Sequence, residues 1–224
     1  MQLIATIIPE IPHDLFLSKL ENHLHEDEVK RIKGISNIVQ ARRSGIGSLL
    51  VAHIVSCISG VPKQGISMHR YENGKPFLPD FPNLHYNISH TNNIVVAAIG
   101  NHVMGVDIET ISTARMPIAK RFFSKPELEL LKRCKKRDLD TLFFELWTAR
   151  ESFAKATGTG IFASISHFVP EKTEEGWQVN DKSTGIWSIR HYRYGNNFVI
   201  ALCVAKEKEF PEAIETIDLQ KLWA

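Results

Sequence analysis

Cysteine is almost missing from this chain. Cys57, Cys134 and Cys203 are the only three, they lie far apart, and no CxxC pair occurs. An odd, scattered set supports neither a disulfide framework nor a zinc site and suits a reducing compartment, so a cytoplasmic protein is expected. Long apolar runs are missing too. The longest, from Ile46 to Ile58, is broken by Ser48, His53 and Ser56, which excludes a membrane span. The opening MQLIATIIPEIPHD has no basic region and no small-residue cleavage site, and reads as a strand rather than a signal peptide. Neither sign of charge dominates: Lys and Arg total 27 against 25 Asp and Glu, a net charge of +2 that excludes the strongly basic balance of a nucleic-acid binder. No Walker A loop, HExxH motif or low-complexity linker is present. In a cytoplasmic chain, the match of Asn87-Ile88-Ser89 to a glycosylation acceptor is chance.

What is present is an ordinary globular composition, 43% hydrophobic and 23% charged, over 224 residues. That length allows one large domain or two of roughly 100 residues, with a core that needs no staples. Patterning predicts a strand over Leu3–Ile8 and helices near His13–His23 and Glu26–Lys33. A longer helix follows over Val39–Ser59, with Ile46, Leu49, Leu50, His53, Ile54 and Cys57 on one side. Gly60-Val61-Pro62 stops it. Strands are expected over Ile66–Tyr71 and Leu84–Ser89, then a hairpin of Ile94–Ile99 and Val103–Ile108 joined by Gly100-Asn101-His102. Ser124-Lys125-Pro126-Glu127 reads as a capping box. A helix over Asp138–Thr157 carries Leu139, Leu142, Phe143, Leu146, Trp147, Phe153 and Ala154 on one stripe and ends at Gly158-Thr159-Gly160. Strands are predicted over Ser166–Val169, Trp177–Val179, Trp187–Tyr194 and Phe198–Ala205. The fold class is therefore α+β, in two halves of similar design, 1–110 and 111–224.

Chemistry concentrates in Gly105-Val106-Asp107-Ile108-Glu109. On a strand, Asp107 and Glu109 share one face, and two such acids suit a hard cation such as Mg²⁺. Alone, the pair reads first as an exposed strand face that carries two acids. Glu151 and Lys155 stand one helical turn apart beyond Trp147, with Glu151 at the edge of the apolar stripe and Arg150 nearer its middle. Buried charge needs a partner, and three acids with two cations beside apolar faces fit a metal and phosphate site. Gly74-Lys75-Pro76 adds a cation on a rigid turn. Asn87-Ile88-Ser89-His90 adds a hydroxyl and an imidazole near a strand end. The basic cluster of Lys30, Arg31, Lys33, Arg42 and Arg43 reads, by itself, as a solvated helix face.

GKP at 74–76, YNISH at 86–90, GVDIE at 105–109 and WTARESFAKATG at 147–158 occur in this order, and RRSGIGSLL near 42–50 fits beside them. Together they resemble the 4′-phosphopantetheinyl transferases, in particular the surfactin-synthetase-activating, monomeric type. Arg150 departs from the family pattern, which has Lys there. The Ile165-Ser166-His167 triplet lacks the preceding Asn and is a decoy. The resemblance implies two subdomains related by pseudo-twofold symmetry, with the active site in the cleft between them. It implies transfer of phosphopantetheine from coenzyme A to a serine of an apo acyl or peptidyl carrier protein, releasing 3′,5′-ADP. Asp107, Glu109 and Glu151 would hold Mg²⁺, or Mn²⁺ in its place. Lys155, Lys75 and His90 would neutralise phosphate oxygens, with Gly74, Pro76 and Ser89 beside them. Arg31 and Ser44 would touch the nucleotide, and Glu151 would take the serine proton. The competing readings are another metal-dependent nucleotidyltransferase or phosphohydrolase, and a non-catalytic coenzyme A- or anion-binding module. Between the halves, Lys120-Arg121-Phe122-Phe123-Ser124-Lys125 sets three cations around two aromatics, with one Phe expected in the core and its neighbour part-exposed. The resemblance implies acidic helical carriers, which such a segment would meet.

Overall fold

The computed structural model describes residues 1–160, 168–174, 176–206 and 209–223. In chain order the elements are β1 (Gln2–Ile7), α1 (His13–Glu21), α2 (Glu26–Lys33), α3 (Ile38–Ser59), β2 (His69–Arg70), β3 (Pro76–Phe77), β4 (His85–Thr91), β5 (Ile94–Gly100), β6 (Met104–Thr110), α4 (Met116–Phe122), α5 (Lys125–Arg133), α6 (Leu139–Thr157), β7 (Pro170–Lys172), β8 (Trp177–Asp181), β9 (Gly185–Tyr194), β10 (Phe198–Ala205), β11 (Glu215–Thr216) and α7 (Leu219–Leu222). They form two compact units, Met1–Asn101 with Ile214–Ala224, and His102–Ala213. The division thus falls at Asn101/His102 rather than at residue 110, which puts Asp107 and Glu109 in the second unit. The last residues return to the first.

In the first unit the sheet order is β11-β1-β5-β4. Helix α3 starts on Asn37, whose side chain accepts from the Gln40 N–H, and stops at Gly60 with φ 75. From Gly45 to Val55 it is buried on nearly every side rather than along one stripe, while His53 is only half-buried and Cys57 is exposed. Glycine permits the close packing: a Cβ on Gly47 would come within 2.8 Å of the Ile88 side chain on β4. The returning segment closes the sheet. β11 pairs in parallel with β1, Thr6 Oγ1 donates to the Ile217 carbonyl at 2.8 Å, and Lys63 donates to the Leu222 carbonyl at 2.9 Å.

In the second unit the sheet order is β6-β10-β9-β8-β7, and α6 packs on β6 and β10. The two units repeat one plan. Each runs from a first strand through helices to a long helix, then a hairpin whose second strand pairs antiparallel with the first: β1 with β5, β6 with β10. The hairpin turns carry the positive φ residues Asn92 (48°) and Gly195 (56°).

Two expectations about strands are corrected. β5 and β6 do not form a hairpin, because both edges of β5 are filled by β1 and β4 and β6 pairs with β10. Gly100-Asn101-His102 is the crossing between units. The strand expected over Ile66–Tyr71 shrinks to His69–Arg70, since among the described residues its only partner is Pro76–Phe77 and Ile66 is spent in the core. Of the expected strand Ser166–Val169, residues 166 and 167 lie outside the described residues while Phe168 and Val169 precede β7 without strand pairing, and the decoy triplet lies wholly outside the described residues. Among the described residues no helix is long and apolar enough to cross a membrane.

Candidate functional site

The second unit holds the carboxylates. On β6, odd-numbered residues share a face, and that face meets α6. Gly105 shows it: a Cβ there would lie 2.1 Å from the Ser152 carbonyl oxygen and 2.4 Å from the Ala156 nitrogen, so helix and strand touch backbone to backbone. Val106 and Ile108, on the other face, are fully buried. Two strand residues advance by about 6.6 Å and four helix residues by about 6 Å, so Asp107 and Glu109 keep step with Lys155, Glu151 and Trp147 on the antiparallel helix.

The contacts follow that register. Lys155 Nζ donates to Asp107 Oδ1 at 2.7 Å and to the Val106 carbonyl at 3.2 Å. Asp107 is buried and Lys155 about a third exposed. Glu109 accepts from Trp147. Burial and the Asp107 charge still raise its pKa against the pull of Lys155 and that hydrogen bond. Glu151 moves furthest. Burial first, then the charges of Asp107 and Glu109, push it up to about 7, with Lys155 opposing. Asp107 acts against both Glu109 and Glu151, and Glu109 against Glu151, so the three make a set of hard oxygen donors whose repulsion a divalent cation would relieve. Among the described residues no three His, Cys, Asp or Glu side chains converge closely enough to hold an ion as they stand. At Asp107 the positive charge comes from Lys155.

Arg150 is not part of this group. It is fully buried, pairs with the equally buried Glu127, and lies over the rings of Phe168 (4.7 Å) and Phe123 (5.8 Å). Its anion is therefore a carboxylate of α5 rather than a phosphate. The capping box survives with an added duty, since Glu127 Oε2 accepts from Ser124 N at 2.7 Å and Oγ at 2.6 Å as well as from Arg150. Phe123 is core, against Phe143, while Phe122 is half-buried, edge-on to Trp147 at 5.8 Å and covered by Arg121. Lys120, Arg121 and Lys125 are exposed. This is the split expected of the two aromatics.

In the first unit the structure brings Arg31 and Ser44 together: Arg31 Nη2 donates to Ser44 Oγ at 2.7 Å. Sequence reasoning missed what lies behind them. Glu28 is buried and accepts a fork from Arg31, Nε at 2.8 Å and Nη2 at 2.7 Å, plus a hydrogen bond from Ser48 Oγ. Burial would raise the Glu28 pKa, but the hydrogen bonds from Arg31 and Ser48 outweigh it and hold the group below the usual carboxylate range. The i,i+3 spacing of Glu28 and Arg31 was visible; the burial was not.

Lys75 stands on the turn between β2 and β3, set by Gly74 at φ 81 and by the Tyr71 N–H donating to the Lys75 carbonyl at 2.9 Å. Pro76 follows as the first residue of β3. Ser89 and His90 are consecutive on β4 and so face opposite sides of the sheet. His90 shares a row with Tyr86 and Ile88, which pack into the α3 core, and lies between Ile88, beside Gly47, and Asn92, whose carbonyl accepts from Arg43 at 2.9 Å. That is the stretch of α3 that carries Ser44.

Comparisons with known proteins add the family. The family model for the 4′-phosphopantetheinyl transferase superfamily matches residues 103–203, and that for the N-terminal region of 4′-phosphopantetheinyl transferases matches residues 12–102. The chain is 34% identical to 4′-phosphopantetheinyl transferase ffp of Bacillus subtilis over 81% of this chain and 82% of that one. It is 33% identical to 4′-phosphopantetheinyl transferase gsp of Aneurinibacillus migulanus over 77% and 73%. A more distant match, 30% identical, is the L-aminoadipate-semialdehyde dehydrogenase-phosphopantetheinyl transferase of Mus musculus, over 62% of this chain and 49% of that one.

Proposed function

The chain belongs to the 4′-phosphopantetheinyl transferase superfamily, and we propose on that premise that it moves the phosphopantetheine arm of coenzyme A onto a serine of an apo carrier protein, releasing 3′,5′-ADP. The observation that carries the reading is the register of β6 against α6, which gathers Asp107, Glu109, Glu151 and Lys155. Phosphoryl transfer asks for positioning and charge neutralisation more than for covalent help, and this group supplies both.

Asp107, Glu109 and Glu151 would hold Mg²⁺, which when bound would neutralise pyrophosphate charge. The donor chemistry fits that ion: three carboxylates, with the charge of Asp107 acting against both Glu109 and Glu151. Lys155 orients Asp107 and, with Lys75 and His90, offers donors to phosphate oxygens. Gly74 and Pro76 fix the Lys75 backbone, and Ser89 is assigned with them from the motif. Arg31 and Ser44 bind the nucleotide part. Glu151, the carboxylate that burial and its acidic neighbours press hardest toward taking up a proton, accepts the proton of the carrier serine, directly or through a water. Lys120, Arg121 and Phe122 meet the carrier, charge serving encounter and the aromatic serving contact.

The test is incubation with coenzyme A, Mg²⁺ and an apo carrier protein. A carrier mass gain of one phosphopantetheine is expected. Release of a nucleotide without carrier modification would favour a phosphohydrolase, and binding without turnover would favour an anion-binding module.

A further inference from the structure

Glu28 stands apart in the first unit: a buried carboxylate whose visible business is with one arginine. Its two oxygens are taken by Arg31 Nε and Nη2, and Ser48 Oγ donates to Oε1 from α3. Ser48 is itself buried, and its Oγ also lies 3.1 Å from the Ser44 carbonyl oxygen, a second acceptor for the same hydroxyl proton. Arg31, about a third exposed, therefore has Nε and Nη2 fixed from behind and from the side by Glu28 and Ser44. A guanidinium is planar, so fixing two of its nitrogens also fixes where the third nitrogen, Nη1, points.

A bare surface arginine would lose side-chain freedom each time it met a phosphate. One already held in a bidentate fork has lost it beforehand. The fork also sets the charge, because Glu28 offsets Arg31 and leaves a directed donor rather than a free cation.

We infer that Glu28, braced by Ser48, is a positioning residue for coenzyme A binding that acts through Arg31. This rests on the reading that Arg31 touches the nucleotide part of coenzyme A. Glu28 itself, buried behind the guanidinium, makes no contact with the substrate.

Steady-state kinetics on the full chain test it, with coenzyme A and carrier varied separately for wild type, Glu28→Gln, Arg31→Gln and the double variant. Gln at 28 keeps the shape but turns an amide N–H toward a guanidinium N–H, which breaks the fork. Arg31→Gln is expected to raise the coenzyme A KM about tenfold or more, and Glu28→Gln about tenfold, with the carrier KM within about twofold of wild type in each. In the Arg31→Gln background, Glu28→Gln should add less than about twofold, the mark of one residue acting through the other. Should Glu28→Gln fail to fold, Ser48→Ala provides the same readout, with a coenzyme A KM raised about threefold and an unmoved carrier KM. Equal rises in both KM values, or a Glu28→Gln effect that persists undiminished without Arg31, would make Glu28 a core residue only and overturn the inference. An unchanged coenzyme A KM in Arg31→Gln would remove Arg31 from the site and the inference with it, while carrier modification by the wild type would leave the transferase reading standing.

Discussion

The two units lay a long helix against a sheet by the same plan, yet use the contact differently. In the first, Gly47 lets α3 settle on the apolar side chain of Ile88, and the polar chemistry stands beside that contact, at Ser44 and Ser48. In the second, Gly105 lets α6 touch the backbone of β6, and the same face carries two acids toward a lysine and a third acid. The two units thus make their close helix–sheet contact at different places, an apolar one on the hairpin strand β4 in the first and a charged one on the first strand β6 in the second. The difference lies in the odd-numbered residues of β6.

The glycines offer the most severe way to break that comparison. Gly105→Ala drives a methyl into a backbone oxygen and nitrogen that cannot rotate away, so the second unit should fail to fold at growth temperature. Gly47→Ala meets only a side chain and should cost about 1–3 kcal/mol. Thermal unfolding of both variants checks this, and comparable losses would mean that the seams are packed alike.

Glu151→Gln comes next. It should lower transfer by about 100-fold or more, within the range of a lost general base, while calorimetry still detects coenzyme A binding. Equal collapse of binding would make Glu151 a ligand first. The same variant probes the charged seam without substrate. The folded pKa of Glu151, about 7, lies above the ordinary 4.5. Its stabilising contribution is therefore complete below the unfolded value and is lost as pH rises through the folded one. Metal-free wild type should melt lower at about pH 7.5 than at about pH 5, and Glu151→Gln should show a smaller drop.

Smaller effects sharpen the contribution of the first unit. Lys75→Ala and His90→Ala should each weaken coenzyme A affinity by roughly ten- to a hundred-fold, the worth of a charge-assisted hydrogen bond, with melting little changed. Unchanged affinity in both would remove them from the site. Smallest is the double reversal of Lys120 and Arg121 to Glu. It should raise the carrier KM several-fold, by about 1 kcal/mol for rim charges, and blunt its rise with salt, leaving the coenzyme A KM unmoved.

Much of this was legible beforehand because the signals were local. The Glu26–Lys33 helix, the Ser124 capping box and the alternation of β6 depend on neighbours in sequence and emerged as read. Readings that depended on distant partners did not. Gly100-Asn101-His102 has hairpin chemistry, but β5 finds its partners at β1 and β4. Arg150 called for an anion, and nothing local said that Glu127, capping another helix, would be it. The one-sided pattern of α3 failed because helices α1 and α2 and the C-terminal segment cover its other faces. Of the site, the acids and Lys155 stood out by spacing and took their roles from the motif resemblance, whereas the brace of Glu28 and Ser48 behind Arg31 required burial to be seen.

The central claim is that Asp107 and Glu109 serve one ion and one reaction. Single-turnover transfer to an apo carrier by Asp107→Ala, Glu109→Ala and the double variant tests it most directly, with folding confirmed by unchanged melting. Each single change should nearly abolish transfer, and the double variant should be no more than a few-fold worse than either, since residues that act as a unit do not lose additively. Near-normal turnover by Asp107→Ala at limiting Mg²⁺, or losses that multiply in the double variant, would contradict it.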